Sequence, residues 1–154
     1  MSKVLMLYTS LTGNTEWMAE AILKQLEQYN HQVVTKLFED NEIEPNEILD
    51  YDAIFIGVYT WVDGDLPLEA EDFYDKLYDM DLSGKICGVF GSADTSYEQY
   101  GTAVGMVYEQ LEILGASMIP DRIIVDLEPN SEELERCKSL ADTACEMIRQ
   151  KAEK

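Results

Sequence analysis

Tyr8-Thr9-Ser10-Leu11-Thr12-Gly13-Asn14-Thr15 follows an apolar run, Val4 to Tyr8, and leads into an amphipathic segment that begins near Glu16. A strand ends, the chain turns at Gly13 among hydroxyls, and a helix starts. Ser10, Thr12, Asn14 and Thr15 then surround the backbone N–H groups at the positive end of a helix, where an anion is held well. The stretch contains no Lys or Arg, so it lacks the lysine of a GxxxxGK[ST] triphosphate loop. It offers neutral donors for one compact phosphate. The competing reading is a plain strand-to-helix loop in which the hydroxyls only cap the helix, and the later loops decide between the two.

Downstream, Trp17, Met18, Ala21, Ile22, Leu26 and Tyr29 recur at spacings of three and four, which predicts a helix of about four turns. A second apolar run, Val33–Phe38, precedes an acidic stretch, Glu39 to Asp52. Pro45 there predicts a short helix start, with Ile48 and Leu49 as the apolar face of a solvated connection. The third run, Ala53–Tyr59, is nearly all apolar, as a strand buried on both faces should be. After it, Pro67 suits the first turn of a helix that carries Ala70, Phe73, Tyr74 and Leu77 inward. The fourth run is Ile86–Gly91, and Ala103, Val107, Leu111 and Leu114 mark the next helix, with Gly115 placed to end it in a left-handed cap.

Met118–Ile119 and Ile123–Val125 form the fifth run, interrupted by Pro120 and Asp121. Proline cannot donate to a central ladder, so an edge or jointed strand is expected. Asn130 caps the last helix, with Glu133 three residues on; Leu134, Cys137, Ala141, Ala144, Cys145 and Ile148 face inward, and 151–154 frays. Five strand–helix alternations imply a doubly wound, five-stranded parallel sheet with helices on both faces, a single α/β domain over 1–150. In such sheets the ligand crevice lies beyond the carboxyl ends of the strands. The loops after runs one, three and four meet there, and those loops hold the unusual residues.

Composition narrows the function. A net charge of −20 over 154 residues repels nucleic acid and anionic membrane surfaces, and it suits steering toward basic partners. No apolar run approaches the roughly 18 residues of a membrane span. The N-terminus shows no charged-then-apolar leader, so a cytoplasmic location is expected. Cys87, Cys137 and Cys145 form no C-x-x-C pair, and His31 is the single histidine; buried reduced thiols are expected, and no metal site.

Trp61 lies in the loop Thr60-Trp61-Val62-Asp63-Gly64, and Tyr97 in Ser92-Ala93-Asp94-Thr95-Ser96-Tyr97. Each is a lone aromatic among small or polar neighbours. Two such rings on loops that converge on a phosphate site point to a planar heterocycle held between two faces. A phosphate joined to a flat ring is a mononucleotide, and FMN fits without an adenine-binding half. Packing of Trp61 against a neighbouring loop is the plainer alternative.

These residues carry a resemblance. Over nearly its whole length the chain resembles the flavodoxins, in their N-terminal signature (Leu7, Tyr8, Ser10, Gly13, Thr15, Ala19 and Ile22, with Met6 at a position usually aliphatic) and in both aromatic loops. Only Pro120-Asp121-Arg122 separates Ile119 from Ile123, so the likeness is to the short-chain group. Val62 and Ala93 stand where glycine is common. The resemblance implies the strand order 2-1-3-4-5 and an FMN cofactor bound without a covalent bond. The cofactor would be held by Thr9, Ser10, Leu11, Thr12, Gly13, Asn14, Thr15, Thr60, Trp61, Val62, Asp63, Gly64, Ser92, Ala93, Asp94 and Tyr97.

It further implies a monomeric, low-potential carrier of single electrons between a reductase and acceptor enzymes, basic-faced proteins met transiently. Whether the chain also turns over a substrate is left open. Asp63, Asp65, Glu69, Asp94 and Glu98 crowd the ring loops and should disfavour adding negative charge there. In the family the peptide corresponding to Val62–Asp63 turns its carbonyl toward flavin N5–H on reduction, and a β-branched residue resists that turn. A small FMN-dependent reductase acting on a quinone is the alternative. A signalling receiver domain fails on residues, because Tyr8-Thr9-Ser10, Tyr59-Thr60-Trp61 and Val125-Asp126 stand where its acidic pair, phosphoacceptor and lysine belong.

Overall fold

A computed structural model of the chain describes residues 2–9, 13–40, 44–60, 66–93 and 102–152. The elements in order are β1 (Lys3–Tyr8), α1 (Asn14–Leu26), β2 (Gln32–Leu37), β3 (Ala53–Gly57), α2 (Leu68–Lys76), β4 (Ile86–Ala93), α3 (Thr102–Ile113), β5 (Ser117–Met118), β6 (Ile123–Asp126) and α4 (Ser131–Ala152). All pairings are parallel, in the order β2-β1-β3-β4-β5, and β6 also pairs with β4. β5 lies beside Ile86 and Cys87 and β6 beside Phe90–Ala93. They are two halves of one jointed edge strand, broken where Pro120 cannot donate.

Alternating residues of the central strands feed two cores. Leu5, Leu7, Ile54, Ile56, Cys87 and Val89 pack under α2 and α3. Val4, Met6, Tyr8, Phe55 and Phe90 pack under α1 and α4. Burial on both faces is what made these strands read as unbroken apolar runs. All three cysteines are buried and unpaired, and burial pushes the Cys87 and Cys137 thiols up to about 12.

The periodic pattern erred at helix margins. Trp17, on the apolar stripe of α1, is 44% exposed, and Tyr29 is exposed at the surface with its hydroxyl donating to Asp142 (2.7 Å). Leu134 is only partly buried, while Leu140, which the pattern passed over, is in the core. Pro45 does open a short 3-10 turn, Pro45–Asp50, but the connection is not wholly solvated. Ile48 and Tyr51 are buried beside Phe38, whereas Leu49 faces water. Pro67 precedes α2 as its cap residue and is not in its first turn. Gly115 does end α3 with φ +98°. Asn130 and Glu133 form a reciprocal cap, Asn130 N–H donating to Glu133 Oε1 (2.9 Å) and Glu133 N–H to Asn130 Oδ1 (2.8 Å). α4 runs on through Lys151 and Ala152, where fraying was expected, and the Lys151 ammonium donates to the Gly84 carbonyl.

Candidate functional site

The carboxyl ends of β1, β3 and β4 lie side by side, Tyr8 opposite Gly57 and Gly57 opposite Phe90. Three segments leave the sheet there. β1 ends at Tyr8, and the Thr9 N–H donates to the Gly57 carbonyl (3.1 Å), one step beyond the ladder. The chain re-emerges at Gly13, the residue preceding α1, with φ +93° and no side-chain capping bond. A Cβ at Gly13 would meet nothing, so the backbone conformation alone calls for glycine there. Trp17 N–H closes the first helical turn on the Gly13 carbonyl (3.0 Å).

β4 continues two residues past the expected end, so Ser92 and Ala93 belong to the strand. Thr60 N–H donates to the Ser92 carbonyl (3.1 Å), and Thr60 Oγ1 accepts from the Ala103 N–H (3.3 Å) at the start of α3. The buried hydroxyls of Thr15 and Ser92 share a hydrogen bond (2.8 Å) that ties α1 to β4. A Cβ on Gly91 would sit 1.8 Å from the Val58 carbonyl oxygen, so the close passage of these segments requires glycine.

Thr9, 1% exposed, donates its hydroxyl to Glu69 Oε1 at 2.6 Å, and the Tyr59 hydroxyl donates to the same oxygen at 3.0 Å. Burial works to raise the Glu69 carboxyl, but the bond from Thr9, a backbone N–H and the bond from Tyr59 outweigh it and leave the group below its ordinary range. Burial and then Glu69 raise the Tyr59 phenol. Burial and then Glu16, Glu20 and Glu39 raise the Tyr8 phenol. This end of the sheet is therefore negative. Stretches 4–23, 37–75 and 86–121, which carry it, contain no Lys or Arg at all.

Of the sequence-derived candidates, Thr9, Gly13, Asn14, Thr15, Thr60, Ser92 and Ala93 are thus gathered at one edge. Ser10, Leu11, Thr12, Trp61, Val62, Asp63, Gly64, Asp94 and Tyr97 lie outside the described residues, as does the Val62–Asp63 peptide. Sequence reasoning placed Glu69 among the acids near the ring but missed its tie to Thr9 and Tyr59. Nothing local marks a bond between residues sixty apart. A recess at the opposite end of the sheet, lined by Tyr29, His31, Asp142, Cys145 and Arg149, is remote from these loops. Among the described residues no group of three His, Cys, Asp or Glu could hold a metal, and no helix is long and apolar enough to cross a membrane.

Comparison with known proteins identifies the family. The flavodoxin family model matches residues 6–140. The chain belongs to the flavodoxin family. A probable flavodoxin 1 of Bacillus subtilis is 36% identical over 142 residues, 92% of this chain and 89% of that one. Oxidised flavodoxin 1 from Bacillus cereus superposes with a TM-score of 0.90 at 36% identity, covering 94% of this chain and 98% of that one. Flavodoxin 2 from Bacillus cereus gives 0.87 at 40% identity, covering 95% and 99%. A flavodoxin is an FMN-binding electron carrier, and FMN is the cofactor here. The described residues fit that group. Gly13 brings backbone, and not a capping side chain, to the start of α1, and the flanking donors are neutral, which suits a phosphate bound without a cation.

Proposed function

We propose that this flavodoxin is a low-potential carrier that holds FMN at the carboxyl edge of β1, β3 and β4. Bound FMN supplies the redox chemistry, taking up and releasing electrons singly. The residues from Ser10 to Thr15 hold the phosphate by backbone N–H groups and hydroxyls, with Thr9 as the base of the loop. Trp61 and Tyr97 flank the ring, with Thr60, Val62, Asp63, Gly64, Ser92, Ala93 and Asp94 around its polar edge. The observation that carries this reading is the carboxyl edge of β1, β3 and β4, whose following loops contain no Lys or Arg and where the first helix starts at a glycine with no side-chain cap.

Carboxylates around that edge disfavour each added negative charge, by roughly 1.5–3 kcal/mol per charge at 5–10 Å before salt screening. The bound flavin then gives up electrons readily. Partners would be basic-faced proteins met transiently in the cytoplasm by a monomeric carrier. The holoprotein should show potentials more negative than free FMN in an anaerobic redox titration and negligible NAD(P)H oxidation with a quinone as acceptor. Steady quinone turnover would favour the reductase reading instead.

A further inference from the structure

We infer that Glu69 is a positioning residue that locks the two cofactor-binding loops to each other, its Oε1 joining Thr9 at the root of the first loop to Tyr59 at the root of the second. The inference rests on the FMN reading above. The β1–β3 ladder ends at Tyr8 and Gly57, with one further backbone bond from Thr9 N–H to Gly57. Beyond that point no strand pairing among the described residues holds the two segments together. Glu69 continues the connection by one step. It stands in the first turn of α2, just past the end of the second loop, so that loop's start and finish and the first loop's root meet at one oxygen atom.

A first-turn glutamate that served only the helix dipole would face water. This one spends Oε1 on hydroxyls from two other segments, and no salt bridge among the described residues includes it. Both donors of Thr9 are also spent within the protein, on Gly57 and Glu69. Thr9 therefore acts on the ligand through loop placement. An acceptor that takes two hydrogen bonds needs two lone pairs and no proton, which a glutamine amide oxygen also supplies. Loosening the lock misplaces phosphate donors and ring loop together, and misplacement costs affinity because ordering must then occur on binding.

The test titrates the full-length chain with FMN and with riboflavin, following flavin fluorescence, for the parent and for E69A, E69Q, T9V and Y59F. E69A should weaken FMN about tenfold or more and weaken riboflavin as well, and E69Q should return to within about threefold of the parent. Y59F should weaken both ligands, and T9V should weaken FMN more than riboflavin. E69A binding both ligands as the parent does, or E69Q no better than E69A, overturns the lock alone. A parent chain that binds neither ligand overturns the FMN reading and the lock with it. If E69A does not fold, the double variant T9V/Y59F decides. A loss smaller than the product of the single losses supports one shared acceptor, and a loss equal to the product overturns it.

Discussion

Glu69 shows at residue scale how much a single carboxylate can organise. Burial alone would make it a weaker acid, yet the donors from Thr9, its backbone and Tyr59 hold it below the glutamate value of 4.5. A carboxylate with a depressed folded-state pKa adds stability above the unfolded pKa and loses it as pH falls through the folded one. Urea unfolding of the ligand-free chain should therefore show a gap between parent and E69Q that is present at pH 7 and shrinks below about pH 4.5. An equal gap at pH 7 and pH 3 would mean the charge on Glu69 contributes nothing. Its partners could not be read from sequence, because Thr9 and Tyr59 are joined to it across 60 and 10 residues. Gly13 was legible, because a hydroxyl-rich turn between a strand and a helix needs a residue tolerant of positive φ.

Elements were legible where a pattern has one structural meaning. Gly115 and the Asn130–Glu133 pair act locally, and both behave as their neighbours in sequence dictate. Replacing Asn130 with alanine should cost about 1 kcal/mol in urea unfolding, since it removes the acceptor for the Glu133 N–H. No shift would mean that water replaces the cap without loss. Trp17 is partly exposed because a helical stripe has edges, and periodicity cannot say which edge the neighbouring α4 covers. Ile48 and Tyr51 were misread for the converse reason. An acidic segment hides two apolar side chains that the sheet reaches from outside the local sequence. β4 outran its apolar run because Ser92 and Ala93 bond to Thr60 and Leu127 instead of ending in a loop.

The whole molecule separates its charge. Lys3 opens β1, Lys24 and Lys76 lie in the last turns of α1 and α2, Lys85 precedes β4, and Arg149 and Lys151 end α4. These sit toward the end of the sheet opposite the cofactor edge, whereas Lys36, near the carboxyl end of β2, is paired with Glu47 (3.1 Å), and the net charge is −20. Such a field orients a basic partner toward that edge and is screened by salt. Electron transfer from the reduced holoprotein to a small cationic haem protein should slow about tenfold between 20 and 500 mM salt. A rate indifferent to salt would remove charge steering from the picture.

The doubly wound order was legible as a class, and its jointed edge strand followed from Pro120. The ring loops are a different matter, since Trp61, Asp63 and Tyr97 lie outside the described residues. We propose that a phosphate gripped by neutral donors at the start of α1 anchors the flavin at this edge. Calorimetric titration of the flavin-free chain with FMN and then riboflavin tests it most directly. One FMN per chain is expected, with riboflavin at least about tenfold weaker because it lacks the phosphate; equal affinity for the two, or no uptake of FMN, would contradict it.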